Sequence, residues 1–196
     1  MKLDNEPRLA PGPGLFASLI DWARSVARSV NALYDAIGSI RAGATPIGDV
    51  LDGPAFAAYR NGNQTGLALG AFNDVLFDAE HFDTAGAFNT TTGRFTPLVA
   101  GYYQINAAVT LEATGGVFGN LQVQINKNGG AAKRLEVSVA SNATAWEAGG
   151  GTLIQMNGTT DYLTVTCYNS GGTGVYYSGN AAGTTTHFSG FLARRA

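Results

Sequence analysis

The sequence predicts a mainly β, antiparallel sandwich preceded by one α-helix. Three observations carry that class. The first is a strand of strict alternation after Gly101: Tyr103, Ile105, Ala107, Val109 and Leu111 take one side, and Tyr102, Gln104, Asn106, Ala108 and Thr110 the other. Side chains alternate across a strand, so this is the period of a sheet with one buried face. The second is turn chemistry recurring along the C-terminal three quarters, at Asn61-Gly62, Asn128-Gly129, Asn157-Gly158 and Gly171-Gly172. The third is composition: 27 glycines and only 13% charged residues in a chain of 196. Many tight turns and few charges suit a β-sandwich better than a helical enzyme.

Taken in order, residues 1–14 are polar and proline-rich, with Pro7, Pro11 and Pro13. Such a segment has too little apolar surface to fold alone and reads as an extended tail or anchor. Residues 15–43 carry the helix. A heptad stripe runs Leu19, Trp22, Val26, Ser29, Leu33, Ala36, Ile40, widened by Val30 and Ile37. Asp21, Arg24, Ser25, Arg28, Asn31 and Asp35 form the opposite face. A sandwich buries its own faces and does not need a leading helix. The stripe is therefore expected to be a seam between copies, with Leu19, Trp22, Val26, Leu33 and Ile40 facing the partner helices. The polar face mixes Arg with Asp, which argues against a membrane-surface helix. Residues 44–53, with Pro46 and Gly48, read as a linker.

Residues 54–196 read as the head. Strands are expected at 55–60, 72–77, 94–96, 101–111, 121–126, 135–139, 152–156, 163–168 and 187–193. Pro97 cannot donate to a ladder and should end the third of these. Leu163, Val165 and Cys167 share one phase, so a buried, inert thiol is expected at Cys167.

Function classes are narrowed by what the residues can supply. A net charge of −2 gives no positive field for nucleic acid. No apolar run reaches the length of a membrane span, and the first residues hold no apolar signal region. One cysteine excludes an intrachain disulfide framework. No phosphate loop, zinc-spaced Cys/His set or nucleophile elbow is found, so no enzymatic activity is expected. A glycan-cleaving site would need two carboxylates across a groove, and Glu112, Glu136, Glu147 and Asp161 are the scattered candidates. No cofactor is called for. Calcium is the one metal considered, because Asp78, Glu80 and Asp83, beside His81, could offer oxygen ligands. Their spacing matches no defined loop and reads first as a solvated turn. The Asn-x-Thr triplets at Asn63, Asn89, Asn142 and Asn157 would matter only in a eukaryotic secretory pathway.

Several pieces occur together in one family. They are Phe56…Tyr59-Arg60, then Phe88-Asn89…Thr92-Gly93-Arg94-Phe95-Thr96-Pro97, Ala100-Gly101-Tyr102-Tyr103, Ile125-Asn126-Lys127-Asn128-Gly129 and His187-Phe188-Ser189-Gly190-Phe191-Leu192. Residues 54–196 resemble the complement-component-1q globular domain, which shares its jelly roll with tumour-necrosis-factor-like ligands. The resemblance implies a compact homotrimer with aromatics at the shared axis. By it, Tyr103, Phe188 and Phe191 are candidates for the sheet core or the trimer axis, and the sequence does not separate the two roles. The chain departs from the complement proteins in having no collagen repeat; the helix stands where that stalk would be. The helix pattern Leu19…Trp22-Ala23-Arg24…Val26-Ala27…Val30-Asn31-Ala32-Leu33 resembles the N-terminal helix of many bacteriophage virion proteins. Together these imply a virion fibre or decoration appendage, assembled in the host cytoplasm and anchored to other virion proteins through residues 1–14. The alternative is a head that binds a host-surface glycan or protein, as in an adhesin.

Overall fold

The structure, a computed structural model, describes residues 24–35, 37, 53–138 and 144–196, without the side chains of 136–138. The chain divides into two compact units, Met1–Ile47 and Gly48–Ala196. In the first, residues 24–35 are α-helical and every described residue is exposed, Val26, Val30, Leu33 and Ile37 among them. Within the helix, Ser29 Oγ donates to the Ser25 carbonyl at 3.1 Å and Arg28 Nε to the Arg24 carbonyl at 3.3 Å. Leu19, Trp22 and Ile40 of the expected seam lie outside the described residues, as do the expected tail and nearly all of the linker.

The second unit is a sandwich of twelve strands: β1 Ala55–Tyr59, β2 Ala71–Asp74, β3 Ala79–Asp83, β4 Phe88–Asn89, β5 Arg94–Phe95, β6 Gly101–Glu112, β7 Leu121–Lys127, β8 Gly130–Ser138, β9 Ala145–Met156, β10 Leu163–Asn169, β11 Tyr176–Tyr177 and β12 His187–Arg195. They form two six-stranded antiparallel sheets. Sheet one runs β9, β6, β12, β1, β3, and β11 continues the β12 edge of β6. Sheet two places β10 at its centre. On one side lie β7 and then β8; on the other lie β2 and the short β4–β5 pair.

Alternation explains the core. Tyr103, Ile105, Val109 and Leu111 of β6 are completely or almost completely buried, and meet Val123, Ile125, Leu163 and Val165 of sheet two. At the centre Phe56 stacks on Phe95, with ring centroids 4.2 Å apart, and takes the edge of Phe188 at 5.0 Å. Aromatic pairs in these geometries add to area burial. Gly190 is required where β12 crosses this cluster, since a Cβ there would stand 2.5 Å from Ile105 Cδ1. Gly93 turns with φ 65°, handing the chain from β4 to β5.

Three of the expected strands shift. The second is β2, Ala71–Asp74, and not 72–77. Val75 and Phe77 are buried, but the chain there is crossing from sheet two to sheet one. The strand expected at 152–156 begins at Ala145 and the one at 135–139 at Gly130. The edge strand β3 and the two-residue β11 were not expected at all.

Candidate functional site

The outer face of sheet one is read off by register. Tyr102, Gln104, Asn106 and Ala108 of β6 face away from the core. Cross-strand pairing adds Gln155, Leu153, Gly151 and Gly149 from β9. From β12 it adds Phe191, Ser189 and His187. Ala55, Ala57 and Tyr59 of β1 and Phe82 of β3 complete the surface. Leu153 is 55% exposed, Phe82 51% and Phe191 49%. This face carries exposed apolar side chains around a polar, uncharged centre. Gln104 Nε2 donates to Asn106 Oδ1 at 3.2 Å along its middle. Gly149 and Gly151 leave the β9 side without side chains, and a Cβ at Gly149 would stand 2.7 Å from the Ala107 carbonyl. The result is a strip of exposed apolar side chains, Leu153, Phe191 and Tyr102, beside a short polar ladder.

The three aromatics divide here. Tyr103 and Phe188 are fully buried between the sheets, and Tyr103 Oη donates to the Val99 carbonyl at 2.8 Å. Burial pushes the Tyr103 phenol up to about 12. Phe191 stands on the opposite side of its strand, in the exposed strip. The sequence could not separate core from axis because both roles call for aromatics; neighbouring parity in β12 does.

The carboxylates are dispersed. Asp78 bonds the Asn61 amide at 2.8 Å and pairs with Arg60 at 3.3 Å. Asp83 accepts from the Phe88 and Ala85 amides at 2.7 and 3.2 Å. Glu80 has its carboxyl raised, by partial burial first and the nearby Asp83 charge second. Among the described residues, no three His, Cys, Asp or Glu side chains gather to hold a metal. Asp78 and Asp83 are drawn into separate local contacts, and His81 stacks on Tyr59 at 4.4 Å.

Of the four scattered acids, Glu112 accepts from Tyr176 Oη at 2.7 Å, which holds its carboxyl below the usual range. Glu147 lies opposite Thr110 in the outer face of sheet one, and the Glu136 side chain is outside the described residues. Asp161 closes one end of the sandwich. It takes Asn128 Nδ2 at 2.8 Å, the Asn157 amide at 2.9 Å and Lys127 Nζ at 2.8 Å. Those bonds, Asn128 first, depress its carboxyl. Cys167 is buried, and burial pushes its thiol up to about 12. A thiol so protonated is a poor nucleophile.

Two facing antiparallel sheets, whose neighbouring strands come from distant parts of the chain, define a jelly-roll head domain. A model of the C1q domain matches residues 55–193, and the chain belongs to that family. Domains of this family and of the tumour-necrosis-factor-like fold commonly form homotrimers. Among solved structures, the globular domain of zebrafish complement 1qA is similar with a TM-score of 0.53 and 19% identity, covering 73% of this chain and 99% of that one. Murine APRIL at pH 5.0 is similar with a TM-score of 0.50 and 10% identity, covering 71% and 98%. These likenesses are of fold. No curated protein matches the chain.

Proposed function

We propose that the protein is a homotrimeric structural component of a bacteriophage virion, a fibre or decoration appendage. Residues 1–14 anchor it to other virion proteins, the helix associates as a three-stranded coiled coil, and the jelly-roll head faces outward. Its work is to assemble and present, without catalysis. The observation that carries the trimer is the exposed apolar strip on sheet one, where Leu153, Phe191 and Tyr102 lie together. Contiguous apolar patches of this kind mark association surfaces. The helix supports the same state, because Val26, Val30 and Leu33 fall on one side and are exposed. The virion role is supported by the resemblance of residues 19–33 to virion-protein helices.

Sedimentation equilibrium of the full chain at micromolar concentration tests the assembly. A mass of three chains is expected; a monomer overturns it. Phe191→Glu, in the strip, should weaken association by about tenfold or more, since burying an unpaired charge is costly. Particles assembled with chains lacking residues 1–14 test the anchor: loss of incorporation is expected, and normal incorporation rejects it. The second reading, a head that binds a host-surface glycan, is favoured by a polar groove on the other sheet.

A further inference from the structure

The outer face of sheet two should be its wet side. Leu163, Val165 and Cys167 of β10, and Val123 and Ile125 of β7, point into the core. Alternation sends Gln124, Asn126, Thr164 and Thr166 outward. Register stacks them in rows: Asp74, Thr166 and Gln124 in one, Thr164 and Asn126 in the next. Phe95 and Leu163 are paired across β5 and β10. Their neighbours Arg94 and Tyr162 therefore stand outward at the far end. Asp74 stands at the near end.

Three of these outward residues are nevertheless hidden: Gln124, Asn126 and Thr166 are 8%, 5% and 7% exposed. They are joined in a chain. Gln124 Nε2 donates to Asn126 Oδ1 at 2.9 Å, and Asn126 Nδ2 donates to Thr166 Oγ1 at 3.0 Å. Asn126 and Thr166 of this network line a groove of about 520 Å³, whose other walls include Arg94, Tyr162, Thr164, Thr92 and Asp74. That size falls within the ~300–1,000 Å³ of small-molecule sites. The Arg94 guanidinium lies 4.2 Å over the Tyr162 ring. The Arg94 guanidinium makes no hydrogen bond or ion pair among the described residues, and neither does the Asp74 carboxylate. The Thr166 hydroxyl accepts from Asn126 and retains its own proton to donate, and Asn126 retains a second amide proton.

We propose that this groove binds a neutral pyranose unit of a surface glycan. The proposal deepens the glycan-binding reading of the head and rests on it. A sugar presents hydroxyls that each donate and accept. The groove offers matched partners: an acceptor-only carboxylate at one end, a donor-only guanidinium at the other, and amide and hydroxyl groups between. The Tyr162 ring, with the Arg94 guanidinium over it, supplies a wall for the sugar's C–H face. An anionic ligand fits worse, because Arg94 is the one cation of the groove and Asp74 opposes it. A nucleic-acid backbone would need several cations. The groove and the apolar strip lie on opposite outer faces of the sandwich, so trimerisation through the strip leaves the groove open.

The test is saturation-transfer NMR on the full chain, with the methyl glycosides of glucose, galactose, mannose and N-acetylglucosamine at millimolar concentration. Sialic acid and inorganic phosphate serve as charged comparators. Transfer to at least one neutral glycoside is expected. Asp74→Ala and Arg94→Ala, both at exposed positions, should each weaken that binding about tenfold, as expected for losing a hydrogen bond to a charged group. Lys133→Ala on β8 should leave it unchanged. No transfer to any neutral glycoside, transfer to the anions alone, or binding indifferent to both groove variants overturns the proposal. The mass of the same samples separates the two readings. A trimer that binds no glycoside rejects the groove alone; a monomer that binds one rejects the trimer alone.

Discussion

At the residue scale, the family's signature positions are the places where the sandwich has no slack. Gly190 lies against Ile105 and Phe56, Phe95 stacks on Phe56, and Gly101 fits under Leu192 and Arg194. Asp161 is a different kind of constraint, since it ties the β7–β8 hairpin to the loop before β10 through Lys127, Asn128 and Asn157. Its folded carboxyl is depressed, so the stability it contributes is present above its unfolded value, near ~3.9. That stability is lost as the pH falls through the lower, folded value. Asp161→Asn should therefore destabilise the head by about 1–3 kcal/mol at neutral pH, through the unpaired donors it leaves. The difference from the parent should shrink at about pH 2.5. Urea unfolding at the two pH values checks this; a difference that is constant with pH would assign the loss to shape instead of charge. Asp161 could be read from sequence only as a scattered acid, because the two side chains that hold it, Asn128 and Lys127, lie 33 and 34 positions away.

At the element scale, legibility followed burial on one face. β6, β7 and β10 were plain because each has one buried side, which imprints a period of two on Tyr103–Leu111, Leu121–Ile125 and Leu163–Cys167. The edge strand β3 has none of its five residues buried, so Ala79–Asp83 carried no such period and looked like an acidic turn. The start of β9 was hidden by Gly149, Gly150 and Gly151, which have low strand propensity; pairing along the whole of β6 overrides it. The groove was illegible for a related reason: Gln124, Asn126 and Thr166 read as solvated outward residues, and only register shows that they enclose one another. The helix was legible as an amphipathic stripe, and its partner is the question. If three copies meet there, Val26→Asp brings three like charges to one axis, and burying them costs several kcal/mol. Helicity and trimer mass should both fall while the head stays folded. Arg28→Asp, on the polar face, should change stability by less than about 0.5 kcal/mol. Circular dichroism with light scattering reads both. Unchanged helicity and mass in Val26→Asp would reassign the stripe to docking on a different protein.

At the scale of the whole molecule, the question is which part would hold the proposed trimer together. Among the described residues, the head has a continuous core, from Phe56 and Phe95 through Tyr103 to Val123 and Val165, made of residues after Gly48. It needs no helix to bury that core, so a chain of residues 48–196 should unfold in one cooperative step. The head also carries its own strip for association, so the truncated chain should still form trimers. It should do so less tightly, because three helices joined to three heads act at high effective concentration for one another. Dilution should thus dissociate the 48–196 trimer at concentrations where the full chain remains whole, and Phe191→Glu should abolish the truncated trimer before the full one. Sedimentation velocity over a dilution series measures both. A truncated chain that is folded yet monomeric throughout would place assembly in the helix alone and leave the sheet-one strip free for a different partner. A truncated trimer as tight as the full one would strip the helix of any part in assembly.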